Sequence, residues 1–204
     1  IANKRKIKKI NYFFDKKILK KIKTQFGMAK VITATNVFAH IDDLHSFMEN
    51  IRYILKRDGV LIIEAPQFLY LLKNVEFDTI YHEHLSYLSI KPLSNFFKKF
   101  NFEITNVEKK DIHGGSIRVH VSFKKQFKIN SNVKKVISEE AKYKIDNKSV
   151  LNNFANKVIL NRMKLTQLLI NLKLKNKKII ALSAPAKGMT LLNYCKIDKD
   201  FIDF

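Results

Sequence analysis

Ala29-Lys30-Val31-Ile32-Thr33-Ala34-Thr35 and Val60-Leu61-Ile62-Ile63-Glu64 bracket the stretch that decides the fold. Both runs are short and rich in β-branched residues, as in a buried strand. Between them Asp42 or Asp43 can cap a helix reaching Lys56, because Leu44, Phe47, Ile51, Ile54 and Leu55 keep helical spacing. Arg57-Asp58-Gly59 then reads as the turn into the second run. Strand, helix and strand joined by short turns form a βαβ unit, which implies parallel sheet.

Downstream, Ser89 and Pro92 introduce a helix through Phe100, and residues 102–107 and 117–123 alternate as strands around a turn at 111–115. An antiparallel pair thus closes the parallel sheet. Residues 130–175 keep helical period, with Val133, Val136, Ile137, Val158, Ile159, Met163, Leu165, Leu168 and Leu169 as the expected buried faces and Lys148-Ser149 separating two helices. Residues 178–182 read as a new strand, followed by Ser183-Ala184-Pro185-Ala186-Lys187-Gly188 and a helix over 189–195. Upstream, residues 7–14 read as a strand, and Asp15 caps a helix ending at Phe26 with Gly27 behind it. The first residue is Ile1, and Phe201, Ile202 and Phe204 read as the start of a strand, so a piece of a longer protein is expected.

With 204 residues and 46% hydrophobic content, the chain can bury a sizeable core. No apolar stretch reaches bilayer length and no signal peptide opens the chain, so no membrane partner is expected. The single Cys195 excludes an internal disulfide, and a cytoplasmic, reducing setting is the economical inference. A net charge of +21 would ordinarily raise nucleic-acid binding. Arginine, however, stands only at positions 5, 52, 57, 118 and 162, and the lysines are spread along the chain. Groove and phosphate readers exploit the arginine fork, so the lysines read as solvated helix faces and nucleic acid is not the expected partner.

The run Tyr81-His82-Glu83-His84 packs titratable side chains beyond the strand ending Glu64-Ala65-Pro66. Loops leaving the carboxyl ends of parallel strands form the ligand crevice of open α/β sheets, which makes this cluster a site candidate. A solvated loop is the plain alternative. His82 and His84 alternate as metal ligands can, but with one cysteine and no CxxC or HExxH spacing no metal site is expected.

Five blocks carry a resemblance: Thr35-Asn36-Val37-Phe38-Ala39-His40, Leu61-Ile62-Ile63-Glu64-Ala65-Pro66, Tyr81-His82-Glu83-His84-Leu85-Ser86-Tyr87, His113-Gly114-Gly115-Ser116-Ile117-Arg118 and Ala184-Pro185-Ala186-Lys187-Gly188. In that order they resemble the S-adenosylmethionine-dependent C-methyltransferases of nucleotide-linked keto-deoxysugars. The resemblance implies an α/β fold: a partial Rossmann-like class I methyltransferase sheet with an antiparallel end pair over residues 1–125, then helices and the start of a second, sugar-nucleotide-binding α/β domain over 126–204. It also implies a zinc-binding part, a glycine-rich cofactor loop and an acidic ribose-holding residue. None of Gly27, Gly59, Gly114, Gly115 or Gly188 forms such a loop, so these parts are expected outside residues 1–204, and the piece alone is expected to bind cofactor poorly.

Carbon methylation beside a ketone needs a base and an electrophile converging on neighbouring atoms. By resemblance, His84 is the base, Tyr81 and Glu83 orient substrate or base, and His40 bonds the developing enolate oxygen; capping the helix near Asp42 is the other reading of His40. Asn36, Glu64 and Pro66 would border S-adenosylmethionine, although a turn asparagine and a strand-end proline have structural uses. Lys187 and Gly188, entering a helix, would receive the pyrophosphate of the sugar nucleotide, or form a simple turn. His113 would face the substrate, while Gly114-Gly115 suit a hairpin turn as well. An O- or N-methyltransferase of the same fold, or a basic nucleic-acid-binding module, are the competing functions.

Overall fold

The computed structural model of the chain describes residues 8–204. Asp15 accepts from the Ile18 N–H at 2.9 Å and opens α1 (Lys16–Phe26), which Gly27 closes at φ 78°. β1 (Ala29–Thr35), α2 (Leu44–Ile54) and β2 (Leu55–Pro66) form the expected βαβ unit, with β1 and β2 parallel. α3 (Phe68–Asn74) and α4 (Ile90–Lys98) lead to the hairpin β3 (Phe102–Lys110) and β4 (Ser116–Phe123). The sheet order is β1-β2-β4-β3, so β4 pairs antiparallel with both β2 and β3. α5 (Ser131–Tyr143), α6 (Lys148–Leu174) and α7 (Ala186–Cys195) follow.

Strand alternation sorts the sheet into two faces. Leu61, Ile63, Ala65, Ile117, Val119 and Val121 are fully buried and share one core with Met48 and Ile51 of α2, Leu93 and Phe97 of α4, and Val133 and Val136 of α5. Burying one such side chain contributes about 1.5–3 kcal/mol. The opposite face carries Glu64, Arg118 and Glu108, which stand abreast on β2, β4 and β3.

Several expectations are corrected. Ile7 lies outside the described residues, and residues 8–14 form no strand. β1 is not buried: it lies at a sheet edge, with Val31 56% exposed. α2 stops at Ile54 rather than Lys56, and residues 57–59 belong to β2 rather than to a turn. Ala29 pairs with Leu55 and Val31 with Val60, so residues 56–59 bulge out of the ladder. Sheet pairing at Leu55 thus overrides the helical spacing.

The two long helices divide at residues 144–147, with Asn147 as the cap and Lys148-Ser149 already inside α6. Of the expected buried residues of α6 only Val158 is buried, whereas Ile159, Met163 and Leu168 are exposed. Apolar residues surround this helix instead of forming one stripe. Residues 178–182 make no strand, and Leu182 is 94% exposed. Two backbone bonds, Asp203 N–H to Ile179 and Ala181 N–H to Phe204, join this segment to residues 203–204, too few for a ladder. Phe201, Ile202 and Phe204 therefore begin no strand either, and α7 starts at Ala186 rather than Met189.

Gly59 is the tightest point of the bulge. A Cβ there would lie 2.9 Å from the carbonyl oxygens of both Lys30 and Lys56 and 2.8 Å from Leu55. Backbone cannot yield as a side-chain tip does, so Gly59→Ala is expected to cost about 1–3 kcal/mol, read as a lower midpoint in urea unfolding.

Candidate active site

Three chain segments converge at the carboxyl ends of β1 and β2. The first leaves β1 through Asn36, whose N–H bonds the Glu64 carbonyl at 2.8 Å and whose φ is 52°. A single 3-10 turn, Phe38–His40, follows. Phe38 is fully buried against Phe47 and Phe97, while His40 is exposed. Asp43, not His40, caps α2, accepting from Ser46 N–H at 2.9 Å. The second segment is the turn 111–115, brought to the same edge by the hairpin. His113 there stands 3.4 Å, Nε2 to Nδ2, from Asn36.

The third segment is residues 80–89. It is tied to the first by the Leu85 and Ser86 N–H groups, both donating to the Ala39 carbonyl at 2.9 and 3.2 Å. His84 therefore lies beside His40, with ring centroids 4.9 Å apart, and beside Tyr81 at 4.4 Å. His84 Nδ1 stands 2.6 Å from the Thr79 carbonyl oxygen. A carbonyl can only accept, so Nδ1 carries the hydrogen and Nε2 presents its lone pair when the ring is neutral. The Tyr81 hydroxyl lies 3.4 Å from that Nε2. Burial, then the Glu83 charge, holds the Tyr81 hydroxyl above its ordinary value, so it stays a donor.

Thr79 closes a second 3-10 turn, Phe77–Thr79, and is 3% exposed. That turn is buttressed from the far end of the chain, where the Tyr194 ring of α7 packs on Phe77 at 5.1 Å. His84 also lines a cavity of about 20 Å³ with Pro66, Gln67, Glu76, Thr79, Ser86 and Tyr87. Phe68 and Tyr87 separate this cavity from a groove of about 810 Å³ between α4 and α5.

The glycines of the turn have a geometric reason. A Cβ on Gly114 would strike the Glu76 carboxylate, and one on Gly115 would strike the Tyr70 ring, both at positive φ. Asn74 donates to the Gly114 carbonyl at 2.8 Å and to Glu76 at 3.0 Å, locking the turn over the cavity.

The structure thus gathers Tyr81, His84 and His40 in one cluster, with Asn36 and His113 paired nearby and Pro66 on the cavity wall. Glu83 is exposed and joins no hydrogen bond among the described residues. Glu64 is 6% exposed, and its Oε2 accepts from Arg118 Nε at 2.7 Å and Nη2 at 2.6 Å. Lys187 and Gly188 occupy the first turn of α7, and no hydrogen bond or ring contact among the described residues joins them to the His84 cluster. Sequence reading missed Thr79, Glu76, Gln67 and Glu140. Only Glu140 carried a signal: it falls in helical register with Val133 and Val136, a carboxylate on an apolar stripe.

Two family models cover the chain: a methyltransferase domain matches residues 2–107, and a C-methyltransferase C-terminal domain matches residues 111–204. The C-methyltransferase NovU of Streptomyces niveus is 30% identical over 205 residues, covering 100% of this chain and 49% of the relative. The chain therefore spans about half the length of that curated relative.

On the open sheet face, Glu108 accepts from His120 at 2.8 Å and pairs with Lys110 at 2.6 Å and, at 3.9 Å, with Arg118. The Lys110 bond, then that of His120, holds the Glu108 carboxyl below its ordinary value against some desolvation. A depressed carboxylate contributes stability above its unfolded value and loses it as pH falls through the folded one. Urea unfolding between about pH 5 and pH 3 should therefore show a shallower loss of stability in Glu108→Gln than in the parent chain.

Proposed function

The chain belongs to the methyltransferase-domain family, and on that premise we propose that it serves an S-adenosylmethionine-dependent C-methyltransferase acting beside the keto group of a nucleotide-linked deoxysugar. The observation that carries this reading is the Thr79 carbonyl, which, when the ring is neutral, leaves the lone pair of His84 on Nε2 beside a tyrosine hydroxyl and a second imidazole. O- and N-methylation need no carbanion. A base with a fixed tautomer facing other proton donors is what carbanion formation requires.

In this reading Nε2 of His84 takes the proton from the carbon next to the carbonyl, and the C–H electrons move into the enolate. His40 donates to the developing enolate oxygen. Tyr81 orients the ring and the substrate, and Glu83, exposed at the loop, meets substrate from the solvent side. When bound, S-adenosylmethionine would supply an electrophilic sulfonium methyl for the enolate carbon, with a neutral thioether as the leaving group. Asn36, at the open end of β1, and Pro66, on the cavity wall, form a rim suited to it, in the crevice that open α/β sheets use. Glu64 borders the same strand end with one carboxylate oxygen held by Arg118. His113 stands where substrate would pass Asn36. The groove of about 810 Å³ is of a size to take the non-reacting part of the substrate, and Lys187-Gly188 is the candidate phosphate contact. The division into a methyltransferase portion over 1–125 and a second unit over 126–204 is part of the same proposal.

In the full-length protein, His84→Ala is expected to lower turnover by about 10²–10⁴-fold with KM little changed. It should also abolish deuterium wash-in at the carbon beside the keto group. Wash-in that persists in the variant would remove His84 as base, and a parent enzyme that methylates without any wash-in would favour O- or N-transfer.

A further inference from the structure

We propose that Glu140 is a positioning residue for the His84 loop, holding residues 80–89 in register with the end of β2. Its bearing on turnover rests on the reading of His84 given above. Glu140 sits on α5 and is 2% exposed. Its Oε1 accepts from Gln67 Nε2 at 2.7 Å and from the Ile90 N–H at 3.1 Å, and its Oε2 accepts from the same N–H at 2.9 Å.

Those partners lie on the two sides of one junction. Gln67 forms an isolated parallel bridge with Leu88, and the next N–H, of Phe68, bonds the Leu88 carbonyl at 2.9 Å. Ile90 is two residues beyond Leu88 and opens α4, where Ser89 provides no side-chain cap. One carboxylate therefore grips the end of β2 through the Gln67 side chain and the exit of the site loop through the Ile90 backbone. Gln67 also lines the cavity that holds His84, and its N–H bonds the Gly115 carbonyl at 3.0 Å. The grip thus reaches the loop, the cavity wall and the hairpin turn together.

Nothing else substitutes for it. Gln67 is 1% exposed, and its own Oε1 has no partner among the described residues, so its side chain is held by the bond to Glu140. Without that carboxylate the Gln67 amide and the Ile90 N–H would be buried donors lacking an acceptor, a costly state. A leucine would fill the same stripe position without desolvating a charge. Burial pushes the Glu140 carboxyl up, and the Gln67 and Ile90 bonds only oppose that.

The test is amide hydrogen exchange, followed residue by residue in the full-length protein, for Glu140→Leu against the parent, since the amide oxygen of a glutamine could still accept from both donors. The Leu85 and Ser86 amides, which anchor the loop to Ala39, should exchange about tenfold faster or more, while the Val119 amide in β4 keeps its rate. In turnover assays kcat should fall with KM little changed. Unaltered Leu85 and Ser86 rates, or equal acceleration at Val119, would overturn the proposal. Should Glu140→Leu not fold, Gln67→Met, which removes the Gln67 bond and leaves Ile90 capped, is read by the same criteria. The exchange readout needs no methyl transfer, so failure of the proposed reaction and failure of this inference are told apart.

Discussion

The hydrogen bond from His84 Nδ1 to the Thr79 carbonyl sets which nitrogen of the neutral His84 ring stands open at the candidate site. It is a local bond, five residues apart, yet it forms only because distant parts hold both ends. Thr79 is fixed by a 3-10 turn against which α7 packs, and His84 by the Leu85 and Ser86 amides on Ala39. A proton acceptor whose ring orientation and tautomer are both set is pre-organised before any substrate arrives.

The sheet makes that convergence possible. Parallel pairing of β1 and β2 sends both following segments out of one edge, and the antiparallel β4 returns the turn at residues 111–115 to the same place. Three loops then meet over one cavity, with the fully buried Phe38 and the close approach of Gly114 to Glu76 fixing their spacing. The other sheet face is fastened by Arg118 between Glu64 and Glu108, cross-strand neighbours on either side. Cross-strand pairs of this kind hold register, and register here places Pro66 and Ser116 opposite each other at the site end.

Much of this was legible in residue order. Asp15 and Gly27 mark α1 by their capping chemistry, and the hairpin is announced by alternation around Gly114-Gly115. What escaped depended on tertiary partners. Leu55 continues a helical pattern but is taken into β2 by pairing with Ala29, while residues 178–182 are apolar enough for a strand yet find only residues 203–204 beside them. At the site, Tyr81 and His84 could be picked out as part of one titratable run, because such groups advertise themselves, whereas His40 came only through the family resemblance. The Thr79 contribution is a backbone carbonyl, which no residue alphabet displays. Glu76 and Gln67 are polar residues in a loop region until folding brings them to His84. Glu140 was readable only as a misfit on an apolar stripe.

The His84 tautomer is read directly in a long-range nitrogen–proton correlation spectrum of the histidine rings, taken with the His84 ring neutral. Nδ1 of His84 is expected to carry the hydrogen and Nε2 to be bare. A neutral ring carrying its hydrogen on Nε2 would contradict this, because the nitrogen facing Tyr81 could then accept no proton.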